Sequence, residues 1–213
     1  MRSIIRIARS SGKAAVLALL LLQALSPERA FGLPPSGGDA VRAFYATLLG
    51  TMKDGRALGR SGRYARLDPV VRRTFDIPFM ARLTVGPSWA GIGDDRRQQV
   101  TVAFARYIAA VYADRFDSFA GEQLQVGGEQ PAAAGTLVRS HIVKSDGESI
   151  AIDYLMRQNG NAWQIGDVYL DGSISQLATY RSEFAAILRD RGIDGLIAAL
   201  NRKADLLVAE RTS

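Results

Sequence analysis

The sequence of 213 residues has no cysteine and only one histidine. Without cysteine, a disulfide framework and a lipid anchor on a processed cysteine are both excluded. A single histidine leaves no pair to bind zinc, and the acidic residues do not form the alternating loop that calcium needs. Beyond residue 32 there is no long uninterrupted apolar run, so no second span across a bilayer is encoded. The one short apolar run, 14–25, follows Arg2, Arg6, Arg9 and Lys13 and precedes the small residues of Ala30-Phe31-Gly32. That order predicts a cleavable secretory signal over 1–32 and a single domain over 33–213.

The formal net charge of +6 is concentrated in that leader. Residues 1–32 carry five Lys/Arg and one acid, which is +4 of the +6, so the remainder is near +2. A balance that small argues against a nucleic-acid partner and allows transient contact with an anionic membrane surface.

Periodicity divides the rest. A helix is expected from Asp39 to Lys53, with Asp39 as cap and Val41, Phe44, Tyr45, Leu48, Leu49 and Met52 on its apolar side. A glycine-interrupted loop is expected over 55–62, then short helices over 63–74 and 76–85, and a long one over 94–116. Val100, Phe104, Tyr107, Ile108 and Val111 share a stripe of that last helix, with Tyr112 at its edge.

After Gly121 the period drops to two. Strands are predicted over 122–129, 136–144, 148–158 and 161–170, with Asp146-Gly147 and Asn159-Gly160 as hairpin signals. In the last strand Trp163, Ile165, Asp167 and Tyr169 alternate with Gln164, Gly166, Val168 and Leu170. Asp171-Gly172 breaks it, Ser173 and Gln176 fit a capping box, and two closing helices are split by Gly192. The expected fold is α+β: a four-stranded antiparallel sheet packed against N-terminal and C-terminal helices that enclose an apolar pocket.

Candidates for chemistry are few. His141 lies in a predicted strand with no visible nucleophile or orienting acid. Gly86-Pro87-Ser88-Trp89-Ala90 follows a helix, not a strand, and lacks the last glycine of a nucleophile elbow. Asp153 and Asp167 could face each other on neighbouring strands as an acid/base pair. An enzyme reading therefore rests on His141, Asp153 or Asp167. Arg181, beside Tyr180, would either pair with Asp167 or Asp171 or bind an anionic headgroup.

Several blocks together resemble the toluene-tolerance/MlaC family of exported lipid-binding proteins. They are Thr74-Phe75-Asp76-Ile77-Pro78-Phe79-Met80-Ala81 with Val85-Gly86 and Trp89, then Trp163, Asp167-Val168, Gly172 and Ile174-Ser175. Tyr180-Arg181-Ser182-Glu183-Phe184 and Gly192-Ile193-Asp194-Gly195-Leu196-Ile197 complete the set, and within the family the hopanoid-biosynthesis-associated HpnM branch is the most similar. The resemblance implies a non-enzymatic periplasmic carrier without a cofactor. It would shuttle phospholipid or hopanoid between an inner-membrane RND-type or ABC transporter and the outer membrane. Expected tail-binding walls are Phe75, Phe104, Tyr107, Ile108 and Val111 from helices and Val138, Ile142, Ile152, Tyr154 and Trp163 from strands, with Arg181 as the possible headgroup contact. A non-catalytic adaptor with an exposed apolar patch is the alternative.

Overall fold

The first helix begins where a serine and an aspartate can satisfy each other's backbone. In the computed structural model, which describes residues 36–209, the Ser36 hydroxyl accepts from Asp39 N at 3.1 Å and the Asp39 carboxylate accepts from Ser36 N at 3.0 Å. This reciprocal box starts helix α1 (Gly37–Lys53) with Ser36 as the cap, three residues before the expected Asp39. The predicted signal segment and its cleavage lie outside the described residues.

The stretch expected to be a loop is helical. Helix α2 runs Gly55–Thr74, broken only at Gly59, whose φ of 61° sits in the left-handed region. Gly55 is needed for closeness rather than flexibility: a Cβ there would lie 2.0 Å from the Asp117 carbonyl oxygen. Arg63 fixes the approach from within. Buried between α2 and the following long helix, it donates to the carbonyls of Ala113 at 2.8 Å and Gly55 at 3.0 Å. A cation that satisfies buried carbonyls this way is held without a carboxylate.

Helix α3 (Ile77–Val85) is capped by Asp76, which accepts from Phe79 N, and has Pro78 in its first turn. A 3-10 turn, Gly86–Gly91, leads into α4 (Asp94–Arg115). Aspartates at the start of α4 and Arg115 in its last turn match the helix dipole. Ala103, Ala105, Ala109, Ala110 and Ala113 let neighbours close in on most sides of α4. It packs on α2, on α3 and on the last helix, α5 (Gln176–Val208).

The sheet is an antiparallel meander of β1 (Gln123–Ala132), β2 (Gly135–Val143), β3 (Ser149–Asn159), β4 (Ala162–Leu170) and β5 (Ile174–Ser175), in that order. Four strands were expected. The fifth is two residues long and stands where the sequence pattern starts the closing helix. Asp171 and Gly172 both take positive φ, 51° and 68°, as a tight I′ hairpin turn requires. That turn folds Ile174-Ser175 back onto Leu170 and Tyr169. Ser175, not Ser173, then caps α5, accepting from Ala178 N at 3.0 Å. The predicted split at Gly192 is present as a left-handed break, φ 62°, inside α5.

Two irregularities shape the sheet. The β1–β2 register shifts between Val126 and Glu129, across Gly127-Gly128. In β4, one extra residue lies opposite the Leu155/Met156 step: Leu155 faces Asp167, but Met156 faces Ile165. The strict alternation read along β4 is therefore broken at Gly166. Trp163 and Ile165 share a face with Val168 and Leu170, while Asp167 and Tyr169 turn to the other. A side chain at Gly166 would meet Arg157, whose guanidinium stacks 3.5 Å from the Phe79 ring centre and pairs with Asp76 at 2.7 Å. Asp76 N donates to the Ile165 carbonyl at 2.9 Å, so the bulge also fixes the start of α3.

Candidate functional site: an apolar cavity between sheet and helices

Helix α4 rests on other helices, and a cavity separates it from the inner sheet face. The cavity measures about 200 Å³. Its walls are Phe75 and Met80 from the α2–α3 corner, Ile108, Val111, Tyr112, Arg115 and Phe116 along α4, Ile152, Tyr154, Val168 and Leu170 from the sheet, and Gln176 and Tyr180 from α5. Almost all of this lining is apolar or aromatic. Such a surface binds by excluding water rather than by forming bonds.

Aromatic rings hold one end open. Phe44, which lies behind the wall, meets the rings of Phe75 at 5.5 Å and Tyr112 at 5.3 Å edge-on, and Phe116 stacks on Tyr112 at 5.6 Å. At the other end Tyr180 packs edge-to-face on Phe104 and Tyr107 and stacks on Phe184. Rings in these geometries gain energy beyond their buried area.

Burial holds the tyrosines neutral. Loss of hydration pushes the phenols of Tyr112, Tyr154 and Tyr180 well above the usual tyrosine range, and nearby tyrosines add to the effect. Arg115 opposes the shift at Tyr112 and Tyr180. The Tyr45 hydroxyl is 2.6 Å from that of Ser140, which in turn donates to the Ile152 carbonyl. Phenols protonated in this way are hydrogen-bond donors, not bases. A tyrosine whose folded pKa exceeds its unfolded value stabilises the fold fully below the unfolded value and loses that contribution as pH rises beyond it. Stability is therefore expected to fall once pH passes about 10. An ultraviolet titration should show part of the tyrosine ionising only together with unfolding.

Five of the ten predicted wall residues meet in the cavity: Phe75, Ile108, Val111, Ile152 and Tyr154. The others sit elsewhere. Phe104 and Tyr107 support Tyr180 from behind. Val138 and Ile142 are buried core, Val138 beneath Gly37. Trp163 is half-buried at the start of β4. Tyr112, read at the edge of the α4 stripe, was not counted as a wall, and Arg115 and Phe116 were missed although they continue the spacing of Ile108 and Val111; Gln176 with Tyr180 sits at i and i+4. Val168 and Leu170 were hidden by the bulge at Gly166.

Arg181 is not at this cavity. It lies beside Gly86 in a separate hollow with Phe79, Leu83, Leu155, Asp167 and Leu177. The expected pairing with Asp167 or Asp171 is not formed among the described residues. Asp167 is already occupied: its carboxylate accepts from Val168 N at 2.7 Å, from the Ser175 hydroxyl at 2.6 Å and from Leu177 N at 3.0 Å. Asp153 is 2 % exposed and accepts from Ser140 N at 3.2 Å, with Arg139 3.6 Å from its other oxygen. By alternation it faces away from Tyr154 and the cavity. His141 is exposed on β2. None of the three candidate catalytic residues lines the cavity.

A family model described as MlaC protein matches residues 42–202. Among solved structures, the chain is similar to a phospholipid-binding protein from Ralstonia solanacearum determined in complex with a phospholipid. The TM-score is 0.70 at 22% identity, over 82% of this chain and 99% of that one.

Proposed function

The chain belongs to the MlaC family, and from that premise we propose that it is a non-enzymatic periplasmic carrier that shields lipid tails from water in the cavity under α4. The observation that carries this reading is the apolar cavity itself, walled by Phe75, Ile108, Val111, Tyr112, Ile152 and Val168. Each methylene hidden from water contributes about 0.8 kcal/mol, so a sixteen-carbon tail represents roughly 12 kcal/mol of gross transfer free energy. That suffices to hold a lipid without headgroup chemistry.

The cavity's size favours flexible tails. At about 200 Å³ it is smaller than the roughly 300 Å³ at which small-molecule sites begin. A full tail enters only as α4 moves off the sheet, which a bending acyl chain can follow in steps. A rigid polycyclic hopanoid needs the whole width at once. Phospholipid is thus the preferred cargo and hopanoid the second. The carrier would receive and deliver it at an inner-membrane transporter, of RND or ABC type, and at the outer membrane, with export directed by the leader over 1–32.

Native mass spectrometry of the exported protein purified from its own envelope, followed by lipid extraction, tests the reading. Bound phospholipid is expected; a delipidated protein that takes nothing from labelled vesicles overturns it. Val168→Trp places an indole in the cavity. Lipid uptake is expected to drop at least ten-fold while circular dichroism stays native, with overpacking costing about 1–3 kcal/mol of stability.

A further inference from the structure

We infer that Arg115 is the contact for the phosphate of the bound lipid, and that it makes the carrier select phosphate-bearing lipids over neutral ones with the same tails. This rests on the carrier reading above. Arg115 is the one charged side chain in the lining. It sits in the last turn of α4, exposed to water on one side and bordering the apolar interior on the other. Its neighbour Asp114 is committed to Arg60 at 3.2 Å, and among the described residues Arg115 has no carboxylate partner. A guanidinium placed where an apolar cavity meets solvent has the position that an amphiphile's head must occupy when its tails are inside. Its planar fork matches two phosphate oxygens at once.

Two other cationic features can be set aside. Helix N-termini attract anions, but at the start of α5 the N–H groups of Leu177 and Ala178 are already taken by Asp167 and Ser175. Arg181 faces the separate hollow beside Phe79 and Asp167. Gln176, the first residue of α5 and the only amide in the lining, adds a neutral donor at the same cavity. A phosphodiester needs such donors, whereas the hydroxyl of a diacylglycerol or a polycyclic alcohol gains little from a cation.

The test offers the delipidated full chain three lipids of identical acyl composition in mixed micelles: phosphatidylglycerol, phosphatidylcholine and diacylglycerol. Bound fractions are read by native mass spectrometry. The wild type is expected to prefer both phosphate lipids over diacylglycerol by about ten-fold, the scale of one charge-assisted contact discounted for exposure. Arg115→Gln should erase the preference while diacylglycerol still loads, Arg115→Lys should keep part of it, and Arg181→Gln should leave it intact. Equal ratios in wild type and Arg115→Gln overturn the assignment and leave the carrier reading standing. If the wild type loads none of the three lipids, both fall. Competition by glycerol phosphate at the lipid's own concentration would show a site for free phosphoesters, and would overturn the lipid-head assignment.

Discussion

Phe44→Ala should lower the unfolding free energy by about 3–5 kcal/mol, the range for truncating a fully buried aromatic residue. Phe44 is 1 % exposed and lies at the meeting point of α1, the α2–α3 corner, α4 and the sheet. Its ring is edge-on to Phe75 and Tyr112 and lies 6.5 Å from Tyr154. All three partners are cavity walls. Removing the ring leaves a void behind them, so the loss combines missing transfer energy, missing aromatic contacts and a space that the surrounding helices fill only in part. For a domain of this size each kcal/mol shifts the melting midpoint by about 2–4 °C, so calorimetry should register a fall of about 10 °C. Phe44→Leu keeps most of the volume and should lose less than half as much. A loss below about 1 kcal/mol for the alanine variant would mean that the cavity walls stand without this ring.

Asp167→Ala should cost about 3 kcal/mol. The side chain is 5 % exposed and all three of its accepted hydrogen bonds have good geometry. Two of the donors, Ser175 Oγ and Leu177 N, belong to the start of α5, so the carboxylate ties the end of the sheet to that helix and complements its dipole. Removing it strands buried donors, each at roughly 1–3 kcal/mol. The local effect is as informative as the total. Amide exchange should accelerate first at Leu177 and Ala178, while Phe104 and Leu200, deep in the helical layer, change only with global unfolding. Asp167→Asn retains one acceptor oxygen but points an NH2 group at a donor, and should lie between wild type and alanine. Uniform acceleration along all of α5 would contradict this local role.

The fold was largely legible because its strongest signals are local. Period-two runs with Asp-Gly and Asn-Gly between them located the meander, Gly192 marked the break in α5, and the stripe on α4 marked the helix that faces the sheet. What was lost depends on tertiary contact. Gly55 looked like a loop residue because a sequence cannot show that the Asp117 carbonyl lies where its side chain would be. Gly166 looked like one more step of a strand, and the bulge there moved Val168 inward and Asp167 outward. That single extra residue explains why alternation grouped Asp167 with Trp163 and Ile165 and left the wall residues Val168 and Leu170 on the opposite side. Arg115 went unremarked because the last turn of a helix ordinarily carries a cation. Only the cavity beside it gives the residue a second meaning.

The shift across Gly127-Gly128 and the brevity of β5 have a bearing on crowding. A flat, regular outer strand is a template on which a second molecule can continue the sheet. Here one margin is interrupted by the two glycines and by Pro131; at the other, β5 covers only Tyr169 and Leu170 of β4, and further along Asp76 N holds the Ile165 carbonyl. Each margin is broken up along its length, which works against the sheet growing from molecule to molecule. In the loading step proposed above, with α4 off the sheet and the interior open, a broken margin would give neighbours that meet little strand ladder with which to convert a passing encounter into a fibre.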